Sequence, residues 1–139
     1  LLKKSDIIYV LATITSKNQS LISRKKLDLM KKNSFFILLS RAAIVNFSDL
    51  YKKLKSNEIY AAIDVFPIEP VDKKDPIRRL KNVLFSAHRA GALDSVFEEM
   101  GNIVYGDMLL IEKNLPPRLC KRAERETVVL LQSKPVDHN

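Results

Sequence analysis

Four short apolar runs, set apart by stretches of helical spacing, constrain this chain more than any other feature. They are Asp6-Ile7-Ile8-Tyr9-Val10-Leu11, Phe35 to Leu39, Ile59 to Val65 and Val83 to Ser86. Each is too short for a buried helix and rich in β-branched or aromatic side chains, which marks a strand. After the polar, turn-like Thr13 to Ser20, Ser23 is placed to cap a helix running to about Met30, with Leu27 and Met30 inward and Lys31, Lys32 and Asn33 closing it. Ser48 is placed to cap a second helix, with Leu50 and Leu54 on one face and Ser56-Asn57 at its end. Pro67, Pro70 and the charged residues 71–75 exclude helix or central strand between the third and fourth runs. From Asp94 to Glu112, Val96, Met100, Ile103, Val104 and Ile111 recur at helical spacing, which predicts the longest helix. Continuous apolar strands alternating with helices predict an α/β fold with a parallel sheet covered on both faces. Pro116-Pro117 ends the last helix. Beyond it, residues 121–126 are highly charged, and Val128 to Leu131 reads as one more strand or a docking segment.

Composition narrows the partners. At 139 residues and 46% hydrophobic, the chain is long enough for one domain with a real core. The net charge of +8 raises the question of nucleic acid. However, the lysines fall on helix-like polar faces and turns without interleaved aromatics, so a solvated surface is expected and no nucleic-acid partner. The single Cys120 excludes an internal disulfide, and there is no Cys/His cluster with zinc spacing, so no metal is expected. A reducing, cytoplasmic compartment fits. No uncharged stretch of about 18 residues suggests a membrane span, and no secretory pattern begins at Leu1. Because residue 1 is not Met, the chain is expected to begin inside a longer one.

The strand ends carry the polar residues that an apolar core does not need. Arg41 follows the second run in Leu39-Ser40-Arg41-Ala42-Ala43-Ile44-Val45-Asn46. Asp64 sits within Ala62-Ile63-Asp64-Val65-Phe66. Glu69 lies between two prolines, and His88 follows the fourth run in Ser86-Ala87-His88-Arg89-Ala90-Gly91. In open α/β sheets the carboxyl ends of the strands face the ligand crevice. An arginine there offers a planar fork for a carboxylate. A histidine, with an ordinary pKa of about 6.5, exchanges protons near neutrality. Taken singly, Arg41 also reads as a structural ion pair, Glu69 as a solvated loop residue, His88 as a core histidine and Asp64 as a structural acceptor. Their recurrence at successive strand ends favours a site. No Gly-x-Ser-x-Gly is present, and three glycines, Gly91, Gly101 and Gly106, make no Gly-x-Gly-x-x-Gly loop.

The ordered motifs resemble the carboxyl-terminal half of the D-isomer-specific 2-hydroxyacid dehydrogenases, the family of phosphoglycerate dehydrogenases and glyoxylate/hydroxypyruvate reductases. The likeness runs from Leu2 to about Asn114. Ser40 to Asn46 resembles the family's arginine motif, Ala62 to Phe66 with Glu69-Pro70 its glutamate motif, and Ala87-His88-Arg89-Ala90-Gly91 its histidine motif. The resemblance implies the second half of a Rossmann-like, doubly wound parallel sheet, truncated at its amino end. Residues 1–115 would complete the NAD(P)-binding domain and 116–139 would return toward a substrate domain. It further implies NAD or NADP as cofactor and a small 2-hydroxy or 2-oxo acid as substrate. Arg41 would bind the substrate's carboxylate and keto oxygen, His88 would carry the proton, and Glu69 would be its partner. Asp64 would hold the carboxamide, with Ser40 and Ala90 near the nicotinamide ring.

Three positions depart from the family pattern. Leu11-Ala12-Thr13 stands where His-x-Pro is usual, Leu39 for a frequent Asn, and Ala42 for a usual Gly; none removes a catalytic group. The resemblance also implies that the substrate domain, the first Rossmann half and the glycine loop precede Leu1, and that the complete enzyme is a homodimer. A cofactor-sensing corepressor type of protein and an inactive truncated remnant are the rival readings.

Overall fold

The computed structural model describes residues 1–121 and 128–129. They fall into two compact units, residues 1–88 and 89–129.

The first unit is a parallel sheet of four strands in sequence order: β1 (Ile7–Val10), β2 (Phe35–Leu38), β3 (Tyr60–Ile63) and β4 (Val83–Phe85). The register aligns Ile8 with Phe36, Phe36 with Ala61, and Ala61 with Val83. Parallel neighbours need crossover connections, supplied by α1 (Arg24–Leu27), α2 (Phe47–Lys55) and two 3₁₀ turns, Ala42–Ile44 and Pro76–Arg79. Ile8, Val10, Phe36, Leu38, Ala61 and Ile63 form a buried layer with Leu27, Ile44, Leu50 and Leu54. Each large side chain fully buried there stabilises the unit by about 1.5–3 kcal/mol.

Covering of both sheet faces, which the apolar strands predict, is found on one face only among the described residues of this unit. Ile7, Tyr9, Phe35, Tyr60 and Leu84 are exposed, Leu84 by 73%. Burial in β1 to β3 therefore alternates with the two-residue period of a strand. On the exposed face the rings of Phe35 and Tyr60 stack at 5.2 Å, a cross-strand pair that shields part of the apolar surface.

The helices also differ in detail from expectation. The first is a single turn that stops at Leu27, although Leu27 and Met30 are both buried as expected. Ser23 occupies the cap position, but no capping bond from its hydroxyl is found among the described residues. The Arg24 N–H instead donates to Asp49 Oδ2 of α2 at 3.0 Å. In α2 the cap is Asn46 rather than Ser48, its side chain accepting from Asp49 N. Leu50 and Leu54 are fully buried, as their spacing predicts.

At the amino edge of the sheet, polar groups tie elements together. Lys53, 4% exposed, reaches Glu58 and Asp28. Its hydrogen bond, followed by that of the Ser56 hydroxyl, holds the Glu58 carboxyl below the usual carboxylate range. Asn82 Nδ2 donates to the carbonyls of Leu54 at 3.0 Å and Ile59 at 2.7 Å, fastening α2 to the start of β3.

The second unit contains α3 (Asp94–Glu112), which has the bounds expected from its apolar spacing. Its apolar residues are not all inward, because Met100, Val104 and Ile111 are more than half or half exposed. The buried residue of α3 is Asp107, whose carboxylate accepts the backbone N–H groups of Arg118, Leu119 and Cys120 at 2.8, 3.0 and 2.6 Å. Those bonds, that of Cys120 foremost, bring its pKa down to about 2. Of the apolar run 128–131, Val128 and Val129 are helical and exposed, and the remainder lies outside the described residues.

Candidate active site

The carboxyl edge of the sheet presents a different chemistry from the amino edge. β4 ends at Phe85, and Ser86-Ala87 leads to His88, which adopts φ of +56°. That left-handed conformation is uncommon for a residue with a side chain, and in a rigid setting it marks positions held for a purpose. The holding contact is main-chain: His88 N donates to Asp64 O at 2.8 Å. Asp64 itself follows β3, is buried, and its N–H donates to Leu38 O at 3.0 Å. Successive strand ends are thus tied from β2 through β3 to His88.

Glu69 reaches the same place from the loop after β3, where the Glu69–Pro70 peptide is cis. Its Oε1 accepts the Phe66 N–H at 2.7 Å, and its Oε2 lies 2.7 Å from His88 Nδ1. An ionised carboxylate only accepts, so Nδ1 must carry a proton in this pair. The neutral ring then keeps a bare Nε2, able to take a proton, and the charged ring offers one. The ring is 48% exposed, which leaves Nε2 accessible to a reactant. Phe66, Pro70, Phe85 and Arg78 join the pair in lining a recess of about 580 Å³.

Ser40 and Arg41 follow β2 and lie beside a second recess, of about 340 Å³, with Leu11 to Ile14 beyond β1. Arg41 is exposed, and its Nη1 donates to Ser40 O at 2.8 Å, which among the described residues leaves the other edge of the fork available. Ser40 Oγ is shielded from solvent and has no hydrogen-bond partner among the described residues. A buried hydroxyl with unused capacity is costly unless a ligand completes it. That orphaned hydroxyl, next to a cation at the carboxyl ends of two parallel strands, fits one end of a dinucleotide cofactor.

Of the residues singled out from sequence, the structure joins His88 directly to Glu69 and, through the main chain, to Asp64. Ser40 and Arg41 share the other recess, and the residues lining the two recesses do not overlap. Ala90 belongs to the turn before α3 in the second unit. Sequence reasoning missed Arg78, whose only signal was a basic residue just inside the Pro76 turn.

Comparison with known proteins identifies the family and the fold. The family profile described as "D-isomer specific 2-hydroxyacid dehydrogenase, NAD binding domain" matches residues 1–90. The chain is 35% identical over 124 residues to a glyoxylate reductase of Thermococcus litoralis, covering 88% of this chain and 37% of that protein. The crystal structure of a phosphoglycerate oxidoreductase from Rhizobium etli superposes with a TM-score of 0.79 at 48% identity, covering 89% of this chain and 37% of the other. A D-isomer specific 2-hydroxyacid dehydrogenase from Xanthobacter autotrophicus, solved with NADPH and MES, gives a TM-score of 0.70 at 26% identity, covering 83% and 47%. The chain therefore spans less than half the length of each of these proteins.

Proposed function

The chain belongs to the D-isomer specific 2-hydroxyacid dehydrogenase family, as part of its NAD-binding domain, and from that premise we propose that it carries the acid–base half of a nicotinamide-dependent oxidoreductase acting on a D-2-hydroxy acid and its 2-oxo acid. The observation that carries this reading is the 2.7 Å contact between His88 Nδ1 and Glu69 Oε2 at the carboxyl edge of a parallel sheet. The substrate class follows from the relatives: a short 2-oxo acid such as glyoxylate or hydroxypyruvate. The complete enzyme joins this segment, residues 1–115 as cofactor domain and 116–139 as a return, to a substrate domain and a glycine loop, and it is a homodimer.

When bound, NAD(P) supplies or accepts the hydride. Arg41 turns the free edge of its guanidinium to the substrate's carboxylate and keto oxygen, where a fork fixes orientation better than a point charge. In the reducing direction His88 Nε2 gives its proton to the keto oxygen as the carbonyl carbon becomes a C–H centre. In the oxidising direction the bare Nε2 takes the hydroxyl proton. Glu69 holds the ring in the tautomer that leaves Nε2 free and stabilises the charged ring. Ser40, Asp64 and Ala90 hold the nicotinamide end of the cofactor, with Ser40 Oγ as the donor that the fold leaves unused.

The test is an assay of the complete dehydrogenase with NADH and NADPH against glyoxylate and hydroxypyruvate, beside the 139-residue chain alone. The complete protein should turn over and the isolated chain should not. Lack of turnover by the complete protein, with cofactor still bound, would favour the cofactor-sensing alternative, whose site residues are the same.

A further inference from the structure

We propose that Arg78 is a positioning residue for the His88–Glu69 pair, a role that rests on the reading of His88 as the proton carrier. Arg78 stands on the Pro76–Arg79 turn, which is anchored in two ways. Ile77 is 2% exposed in the core, and Asp75 accepts the Ile77 N–H at 2.9 Å. From this fixed base the guanidinium reaches back along the chain. Its Nε donates to Asp72 O at 2.8 Å and its Nη2 to Val71 O at 2.7 Å. One planar fork thereby bridges two successive main-chain carbonyls, two and three residues beyond Glu69.

Those carbonyls lie in a largely exposed segment, where Asp72 O also accepts the Asp75 N–H at 3.1 Å and Asp72 Oδ1 the Lys74 N–H at 2.6 Å. Ile68, Glu69, Pro70 and residues 72–74 are all exposed, and Val71 is the residue there that packs against the core. Upstream, the Phe66 N–H fixes Glu69 Oε1. Downstream, the Arg78 fork fixes the backbone into which Glu69 leads. With both ends held, the remaining oxygen stays within reach of His88 Nδ1 despite 34% exposure of the Glu69 side chain. A fixed geometry matters here because a carboxylate that swings away releases the ring to its other tautomer, with the proton on Nε2 and no base to offer. Lysine in place of Arg78 could satisfy one carbonyl but not both in one plane. Arg78 also borders the 580 Å³ recess with His88, so a direct substrate contact is the competing role that the test must separate.

The direct readout is imidazole nitrogen NMR of the complete dehydrogenase, with the His88 resonances assigned by their loss in His88→Gln. In the parent, the His88 resonances should report a proton on Nδ1 at neutral pH. Arg78→Met should populate the Nε2–H form, as Glu69→Ala does, and adding Arg78→Met to Glu69→Ala should change nothing further. Arg78→Lys should fall between the parent and Arg78→Met. In the complete dehydrogenase Arg78→Met should lower kcat about threefold to tenfold, the worth of net hydrogen bonds of this kind, with KM for the oxo acid unchanged. A folded Arg78→Met chain that keeps the parent tautomer overturns the proposal. A raised KM with unchanged kcat overturns it too, in favour of a substrate contact. If Arg78→Met fails to fold, Arg78→Lys decides by the same spectrum. The tautomer readout needs no turnover. A shifted tautomer together with a His88→Gln variant that keeps the parent's turnover would therefore refute the proposed reaction while leaving the positioning role standing.

Discussion

The two edges of one parallel sheet use polar residues in opposite ways. At the amino edge the polar side chains bind one part of the fold to another, although Asn82 Oδ1, like Ser40 Oγ, is buried without a partner among the described residues. Lys53 joins Glu58 and Asp28, Asn82 joins α2 to β3, and Lys31 meets Asp6 at 2.8 Å. At the carboxyl edge the polar groups are held by the main chain but left chemically open. His88 sits at positive φ with a half-exposed side chain, and among the described residues Ser40 Oγ is unpaired and Arg41 keeps one edge of its fork free. Both edges are built from the same four strands, so the difference is not one of composition. It follows from strand direction, because parallel strands bring all their carboxyl ends to one side, where loops can carry function without disturbing the core.

If that contrast is right, mutations at the two edges should separate activity from stability. The largest effect is expected from His88→Gln in the complete dehydrogenase. Turnover should fall by about a hundredfold or more in both directions, the usual loss with an acid–base group, while thermal midpoint and cofactor affinity stay close to the parent. At the opposite edge, Asn82→Ala should remove the Asn82 donor from the Ile59 carbonyl and from the Leu54 carbonyl, which keeps the Asn57 N–H at 3.0 Å. It should cost about 1–3 kcal/mol of folding stability, measured by urea unfolding, with kcat/KM of the folded protein intact. A loss of turnover in Asn82→Ala without a loss of stability would break the contrast.

Arg41→Lys is intermediate. Charge remains and the fork is lost, so kcat/KM for the oxo acid should fall about tenfold, with cofactor affinity nearly unchanged. Equal losses in both would assign Arg41 a structural role.

The smallest effect concerns acid. The Glu58 carboxyl is held below its ordinary range when folded, mainly by Lys53. The stability it contributes is present above the unfolded value, about 4.3, and is lost as pH falls through the lower folded value. Amide protection should therefore fall at the amino edge, around Asn33 and Ile59, as pH falls below about 4, and Glu58→Gln should reduce that dependence, the remainder belonging to Asp28, whose carboxyl Arg24 and then Lys53 also hold below its ordinary range. Unchanged acid sensitivity in Glu58→Gln would show that the ion cluster does not secure this edge.

Much of this was readable in the sequence wherever one physical signal dominated. Four apolar runs gave four strands, and an apolar repeat gave α3 with the right limits, because burial and periodicity act along a contiguous segment. The motif residues at the strand ends identified where to look, since polar side chains closing apolar runs need a reason. Local rules failed where several neighbours could serve. Asn46 and Ser48 both suit a helix start, and it is Asn46, its N–H held by Ile22 O at 3.0 Å, whose side chain caps the helix. Ser23 lost its capping role to Asp49, which comes from a different helix and is invisible to a local rule. Spacing alone also could not say that Met100, Val104 and Ile111 would be exposed while Asp107 is buried, because burial depends on what packs against the helix. Arg78 was overlooked for a similar reason: its partners are main-chain carbonyls, which leave no trace in side-chain pattern.

The central claim, that the carboxyl edge holds a coupled acid–base pair, is tested most directly by a double-mutant cycle on kcat/KM in the complete dehydrogenase. The four proteins are the parent, Glu69→Gln, His88→Gln and the double variant. Glu69 acting through His88 predicts that the double variant is no slower than His88→Gln alone, as for groups that work as one unit. Losses that simply multiply would contradict the account, because they would mean that Glu69 and His88 serve the reaction independently.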